Sequence, residues 1–363
     1  MFGGHYLGKR VLVTGHTGFK GSWLSSWLLK LGAEVAGYSL NTPSSPSLFE
    51  ELTLTGRIRH TQGDVRDLEL LKRTFREFRP EIVFHLAAQS IVKTSYDAPQ
   101  LTFDTNLLGT VNVLECLRSS STTQAGVIIT SDKCYENVEW EYGYRETDRL
   151  GGKDPYSASK ACAEIAFSSY SRSFFADPDG CHVASVRAGN VIGGGDWAKN
   201  RLVPDLMRSW SKKETAVLRN PHSTRPWQHV LEPLSGYLWL GAQLRNDPGA
   251  LSGEAFNFGP ESKADHSVVE VARALEDVWP GRQVSAQGTS GAVAEAGLLK
   301  LNCDKSNRRL GWLSTLSFLE TIDFTGSWYR RFYEDKASAN ELTVSQIDHY
   351  ETLARERKQA WLS

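Results

Sequence analysis

The stretch Val11-Leu12-Val13-Thr14-Gly15-His16-Thr17-Gly18-Phe19-Lys20-Gly21 reads as a buried strand, a glycine turn and the first turn of a helix. Such a turn brings backbone N–H groups up to a pyrophosphate, and the helix dipole favours the anion. The glycines are spaced G-x-x-G-x-x-G rather than in the common G-x-G-x-x-G pattern. Three glycines after a strand also make a purely structural turn. The setting, between an apolar strand and an apolar helix, favours the phosphate reading, so Gly15, Thr17, Gly18, Phe19 and Gly21 are candidate dinucleotide contacts.

Outward from this stretch, apolar runs alternate with helical patterns. The spacing predicts strands at 10–13, 34–38, 58–64, 82–86, 127–130 and 182–187, with helices at 21–31, 68–78, 102–117 and 155–174. Strands separated by helices imply an α/β fold with a doubly wound parallel sheet of the Rossmann type. After Arg187 the segments shorten, and Pro and Trp recur. The chain therefore divides into a dinucleotide-binding domain at 1–190, to which it returns around 231–258, a smaller α/β substrate lobe at 191–330, and a helical extension at 331–363.

Of 363 residues 40% are apolar, enough for a full core, and the formal net charge is -1 with no long run of one sign. Nucleic-acid binding thus has no electrostatic support. No stretch approaches the ~18 apolar residues of a membrane span. The first strand begins too early to leave room for a secretory signal. Cys116, Cys134, Cys162, Cys181 and Cys303 form no Cys-x-x-Cys pair, which points to a reduced, cytoplasmic protein without a metal site.

Tyr156-Ser157-Ala158-Ser159-Lys160 places a phenol and an ammonium four residues apart, on one face of a helix. A cation beside a phenol lowers its pKa towards neutrality and makes it an acid/base group. Tyr-x-x-x-Lys also occurs by chance. Its weight here comes from Thr130-Ser131-Asp132-Lys133, at the carboxyl end of the fifth strand, where ligands bind in such sheets. Ser131, Asp132, Lys133, Tyr156 and Lys160 are the candidate catalytic group. The second strand ends without the acid that usually holds a ribose 2′-hydroxyl, and without an Arg to receive a 2′-phosphate. Ser39 stands there instead, and NAD is the first choice of cofactor.

Asp64, in Gly63-Asp64-Val65, either meets the adenine amino group or caps its turn. Leu86-Ala87-Ala88-Gln89 either lets a cofactor pack against backbone or is ordinary tight packing. In the second lobe Arg225, within Ser223-Thr224-Arg225-Pro226-Trp227, offers a guanidinium fork to a diphosphate. Asn190, Arg201 and Arg219 are weaker candidates. Trp197 and Trp227 read as core aromatics.

Six motifs in order resemble the extended short-chain dehydrogenase/reductase family: Thr14-Gly15-x-x-Gly18-x-x-Gly21, Gly63-Asp64, His85-Leu86-Ala87-Ala88-Gln89, Thr105-Asn106-x-x-Gly109-Thr110, Tyr156-x-x-x-Lys160 and Arg187-x-x-Asn190. Three further segments resemble its nucleotide-sugar 4,6-dehydratases: Gly37-Tyr38-Ser39-Leu40 with Pro46-Ser47-Leu48-Phe49-Glu50, the run from Asn190 to Trp197, and Arg219-Asn220-Pro221 leading into Arg225.

The resemblance implies that NAD is held by the first domain and not consumed, with Val65, Asn106, Tyr156 and Lys160 among its contacts. It implies CDP-glucose, or a similar nucleotide-hexose, as substrate, and a place in making deoxysugars of bacterial surface polysaccharide. Tyr156 would take the C4 hydroxyl proton, Ser131 would bond the same oxygen, and Asp132 would be the acid that expels the C6 hydroxyl. Relatives acting on dTDP-glucose carry Thr-Asp-Glu where this chain has Ser131-Asp132-Lys133. Lys133 reverses a charge, and serves either as the C5 base or as a cation steadying the enolate. The resemblance also implies a homodimer, joined through a four-helix bundle of 102–117 and 155–174. A nucleotide-sugar 4-epimerase is the main alternative, and a non-catalytic NAD-binding regulator the remote one.

Overall fold

Strand β1 (Arg10–Thr14) runs through the middle of the sheet, buried from Val11 onward. Val11 and Val13 face one core and Leu12 the other, as the two-residue period of a strand covered on both faces requires. The computed structural model describes residues 1–260, 265–286 and 298–362. Residues 261–264 and 287–297 of the 191–330 lobe, and residue 363 of the extension, lie outside the described residues.

Six further strands flank β1: β2 (Glu34–Ser39), β3 (Arg59–Gln62), β4 (Ile82–His85), β5 (Ala125–Ile129), β6 (His182–Arg187) and β7 (Ala255–Asn257). Their order is β7-β6-β5-β4-β1-β2-β3, and every pair is parallel. This is the doubly wound parallel sheet read from the sequence. Strand order reverses between β1 and β4, so a crevice opens at their carboxyl ends, where such sheets bind ligands.

Helix α1 (Phe19–Lys30) follows the glycine turn. Helix α2 (Leu68–Phe78) starts where Asp67 accepts from Leu70 N (3.0 Å) and stops at Arg79, in left-handed backbone, just before Pro80. The helix expected at 102–117 is built in three pieces, Pro99–Phe103, a wide π turn at Asp104–Leu108, and α3 (Gly109–Ser119). Helix α4 (Pro155–Phe174) begins where Asp154 accepts from Ser157 N (2.9 Å), with Pro155 in the first turn. The third strand ends in a polar turn, as its sequence suggests. After Gln62 the chain turns, and Tyr38 Oη donates to Asp64 O (2.8 Å).

Helix α5 (Leu231–Asn246) leads back to β7. The pieces between β6 and α5 pair in short ladders: Val191–Ile192 with Gln228–His229, and Thr224–Pro226 with Asp265–Ser267. Trp197 and Trp227 are buried, in agreement with the core reading. Helices α6 (Phe318–Tyr333) and α7 (Ala339–Glu356) close the chain. Glu351 on α7 accepts from Trp27 Nε1 (2.9 Å) and Lys30 Nζ (2.5 Å), bracing α1 from behind. Tyr329 on α6 donates to Asp196 O (2.5 Å), bracing the glycine-rich loop of the second lobe. All five cysteines are free, and no helix among the described residues is long and apolar enough to cross a membrane.

Candidate active site

Gly15 turns left-handed directly after β1 (φ +74°), and a Cβ there would stand 2.7 Å from Ala87 N. Glycine is what lets the backbones after β1 and β4 touch. Thr14 Oγ1 ties them further, 2.8 Å from His85 Nδ1 and accepting from Ala87 N (3.2 Å). Gly18 is different. Its φ is -78°, and a Cβ would meet only Gly15 O, at 3.3 Å. That contact with backbone is tighter than an ordinary one. Gly18 caps α1 without a side-chain hydrogen bond, and the first turn carries no acid. The N–H groups of the first turn, the helix dipole and a bare Gly18 suit a phosphate. On these observations the residues fit a dinucleotide.

Around that turn, Thr17 Oγ1 lies 2.7 Å from Ser39 Oγ at the end of β2. Phe19 is half-buried, and Gly21 packs on the Gly15 carbonyl. Asp64 caps its turn: it accepts from Arg66 N (2.9 Å) and grips the Arg66 guanidinium (Nη2 2.6 Å). Val65 is in the core beside α3. Leu86, Ala87 and Ala88 form a half-buried wall. Gln89 and Asn106 are braces. Asn106 accepts from Gln89 N (2.8 Å) and donates to Gln89 O (3.0 Å) and Ser159 Oγ (2.9 Å), joining the loop after β4 to α4.

The structure gathers the five candidate catalytic residues. Ser131 Oγ donates to Asp132 Oδ1 (3.0 Å) and accepts from Lys133 N (3.2 Å), and its hydroxyl is close enough to Tyr156 to lower the phenol's pKa. Tyr156 and Lys160 are both buried on α4. Burial pushes the Tyr156 phenol up to about 12, against the Ser131 hydrogen bond and the Arg201 charge. Burial lowers Lys160 to about 8, against the Glu164 charge. In the free protein desolvation of the phenol dominates, and Arg201 is the largest of the charges that lower it. Burial raises Asp132, against the charges of Lys133, Lys20 and Arg225 and the Ser131 hydrogen bond. Its Oδ2 is buried and has no partner among the described residues.

A buried ion pair holds this frame. Glu164 Oε2 lies 2.7 Å from Arg187 Nη2 and accepts from Ser185 Oγ (2.9 Å); Thr130 Oγ1 donates to Oε1. Arg187 also donates to Tyr135 Oη (2.8 Å). The ends of β5 and β6 are thereby fixed to α4 one turn beyond Lys160. Removing either partner strands a buried charge, at about 3–5 kcal/mol.

On the second lobe, Arg201 donates to Asp196 Oδ2 (2.9 Å) and Ser90 Oγ (3.2 Å) while its charge reaches Tyr156. Arg225 is buried, and its charge reaches Asp132. Asn190 is in left-handed backbone (φ +40°), with a buried Nδ2 that has no partner among the described residues. Arg219 is exposed, with its Nη2 on Asp205 Oδ2 (3.0 Å).

Lys20 and Tyr237 are among the residues missed. Burial lowers the Lys20 ammonium to about 8, and it feels Arg201, Asp132 and Lys160. Its signal was a cation in the first turn of a helix, where the dipole disfavours one. Tyr237, inside the apolar α5, places a buried hydroxyl, without a partner among the described residues, near Asp132 and Tyr156; nothing local marks it. No cluster of metal-binding side chains occurs among the described residues.

A parallel sheet with its switch point between β1 and β4, and a Ser/Tyr/Lys group at the carboxyl ends, define a dinucleotide-dependent enzyme of the short-chain dehydrogenase type. Residues 12–325 match the profile of the family described as GDP-mannose 4,6 dehydratase, and the chain belongs to that family. It is 48% identical over 327 residues to CDP-glucose 4,6-dehydratase of Salmonella typhimurium, covering 89% of this chain and 91% of that one. Among solved structures it is similar to a UDP-glucose 4-epimerase of Thermus thermophilus in complex with NAD (TM-score 0.75, 28% identity, 88% and 99% of the chains). It is also similar to a dTDP-glucose 4,6-dehydratase of Streptomyces venezuelae with NAD bound (TM-score 0.73, 25% identity, 90% and 100%).

Proposed function

We propose that this chain is an NAD-dependent hydro-lyase that converts CDP-D-glucose to CDP-4-keto-6-deoxy-D-glucose. The observation that carries this reading is the buried Asp132 carboxylate, bonded to the same Ser131 whose hydroxyl acts on the Tyr156 phenol. An acid for elimination stands next to a base for oxidation, a pair that an epimerase does not need. The identity to the Salmonella enzyme supports CDP-glucose over other nucleotide-hexoses.

Gly15, Thr17, Gly18, Phe19, Gly21, Ser39, Asp64 and Val65 hold the adenosine diphosphate half of NAD. Leu86, Ala87, Ala88, Tyr156 and Lys160 flank the other half, with Gln89 and Asn106 bracing that wall. NAD, when bound, supplies the acceptor for the C4 hydride and its return to C6. The Tyr156 oxygen takes the C4 hydroxyl proton, and Ser131 hydrogen-bonds the same sugar oxygen. The resulting C4 ketone acidifies the C5 proton. Neutral Lys133 takes that proton, or charged Lys133 steadies the enolate while a water takes it, and a proton is given back to C5 as hydride returns to C6. Asp132, whose burial favours its protonated form, gives its proton to the C6 oxygen, which leaves as water. Asn190, Arg201, Arg219 and Arg225 hold the diphosphate and sugar.

Leu101, Leu108 and Ile165 are exposed on the segment 99–119 and on α4. Ile165 lies beside the small Ala158 and Cys162. A second copy packed there as a four-helix bundle would cover them, which supports a homodimer. The function is tested by screening CDP-, dTDP-, GDP- and UDP-hexoses for a keto-sugar chromophore in alkali. CDP-glucose should give the strongest signal. An epimerised sugar without a ketone, or no reaction at all, contradicts the reading.

A further inference from the structure

We infer that Gly189 is a positioning residue for the loss of water: its bare Cα is the seat of the Asp132 carboxylate. The inference rests on the dehydratase reading for its effect on turnover, but not for its geometry. Gly189 follows β6 and is outside the left-handed region. Its backbone would accept any L residue, so conformation does not explain the glycine. The neighbour does. A Cβ at 189 would overlap Oδ2 and Cγ of Asp132 and stand 3.1 Å from Oδ1.

The backbone on the Gly189 side cannot retreat. Phe258 N donates to Arg187 O (2.8 Å), and Gln228 N to Asn190 O (3.3 Å). The buried Gln228 side chain donates to Gly189 O (3.0 Å) and to Phe258 O (3.1 Å), clamping the turn from behind. On the other side, Asp132 N donates to Ala188 O (3.4 Å). Asp132 has only a one-carbon stem, so its main response to a methyl group is to swing the carboxylate off its seat. Oδ1 would then leave Ser131 (3.0 Å), and the proton for the C6 oxygen would be misplaced. Small displacements of a positioned acid cost large factors in rate. Tyr156 and Lys160 belong to α4, and the three atoms nearest a Cβ at 189 are all of Asp132. Oxidation at C4 is therefore touched only through Ser131, whereas elimination loses its positioned acid.

The test uses the NAD-loaded enzyme, Gly189→Ala, Asp132→Ala and the double variant. In a single turnover with CDP-glucose, Gly189→Ala should form enzyme-bound reduced nicotinamide within about threefold of the wild-type rate, with KM equally little changed. Keto-product formation should fall roughly a hundredfold or more. In the Asp132→Ala background the methyl group has room, so adding Gly189→Ala should change neither the residual rate nor the urea midpoint of the unliganded protein. That stability comparison decides even if Gly189→Ala alone does not fold, because Asp132→Ala should then restore folding. Near-normal product formation by Gly189→Ala overturns the inference, as does an equal loss of nicotinamide reduction and product. So does the same stability loss from Gly189→Ala with and without the Asp132 carboxylate. If the wild type makes no keto-sugar from CDP-glucose, the proposed function fails instead, and the stability comparison alone judges the seat.

Discussion

Replacing Tyr156 by Phe removes one oxygen from a site where burial holds the phenol at about 12. To accept the C4 proton near pH 7 the phenol must lose its own proton in the complex. A descent from about 12 to about 7 needs roughly 7 kcal/mol of interaction favouring the phenolate. The Ser131 hydrogen bond and the Arg201 charge already act in that direction, and the positive charge of oxidised NAD adds to them. Phe keeps the buried ring. Ser131 keeps Asp132 Oδ1 and Lys133 N as partners, so no donor is orphaned and the folding cost is that of one hydrogen bond, about 0.5–1.5 kcal/mol. The loss should therefore fall on chemistry: kcat down by roughly 10²–10⁴, with affinities for NAD and CDP-glucose nearly unchanged. In the wild type kcat should rise with pH through the phenol's pKa in the complex, because the deprotonated form is the active base. Tyr156→Phe should lose that acid-side limb. Keto-sugar formation at saturating NAD, with calorimetric titration of both ligands, measures both parts. A kcat within about tenfold of wild type, or a binding loss as large as the rate loss, would refute the reasoning.

Lys133→Ala should still reduce NAD on CDP-glucose but stall before water is lost, with solvent-deuterium exchange at C5 slowed sharply; normal exchange and product would return the base role to Asp132 or a water. Arg225→Ala should weaken CDP-glucose binding roughly ten- to hundredfold, the worth of one charge-assisted contact to phosphate at about 1.5–3 kcal/mol, and unchanged affinity by titration would remove it from the substrate site. NAD should bind more tightly than NADP, but modestly, because Ser39 neither repels nor grips a 2′-phosphate; tighter NADP binding in direct titration would overturn that.

The parts of the fold legible in the sequence are those whose signals are local. Helices α2 and α4 carry their own punctuation, Asp67 with Pro80 and Asp154 with Pro155, and β4 stands out as an apolar run. Strand β7 has three residues and owes its existence to pairing with β6, some seventy positions earlier, so no periodicity marks it. The π turn at Asp104–Leu108 is likewise invisible in a helical pattern; it places Asn106 between the loop after β4 and α4. In the site, motif residues were legible because their spacing is short. Lys20, Tyr237 and Gly189 were not, since each is defined by its proximity to Asp132, from distant points in the chain. The Tyr156–Lys160 relation was legible as a spacing but not as an energy. Spacing does not report desolvation, which here outweighs the neighbouring cation.

Central to this account is that oxidation and elimination occur in one site, with the hydride returned. The direct measurement is to incubate the protein with a small, known amount of NAD and a large excess of CDP-glucose, following keto-sugar and reduced nicotinamide together. The account predicts many equivalents of keto-sugar per NAD and no build-up of free reduced nicotinamide. One equivalent of reduced nicotinamide released for each sugar oxidised would make this an ordinary dehydrogenase and contradict the account.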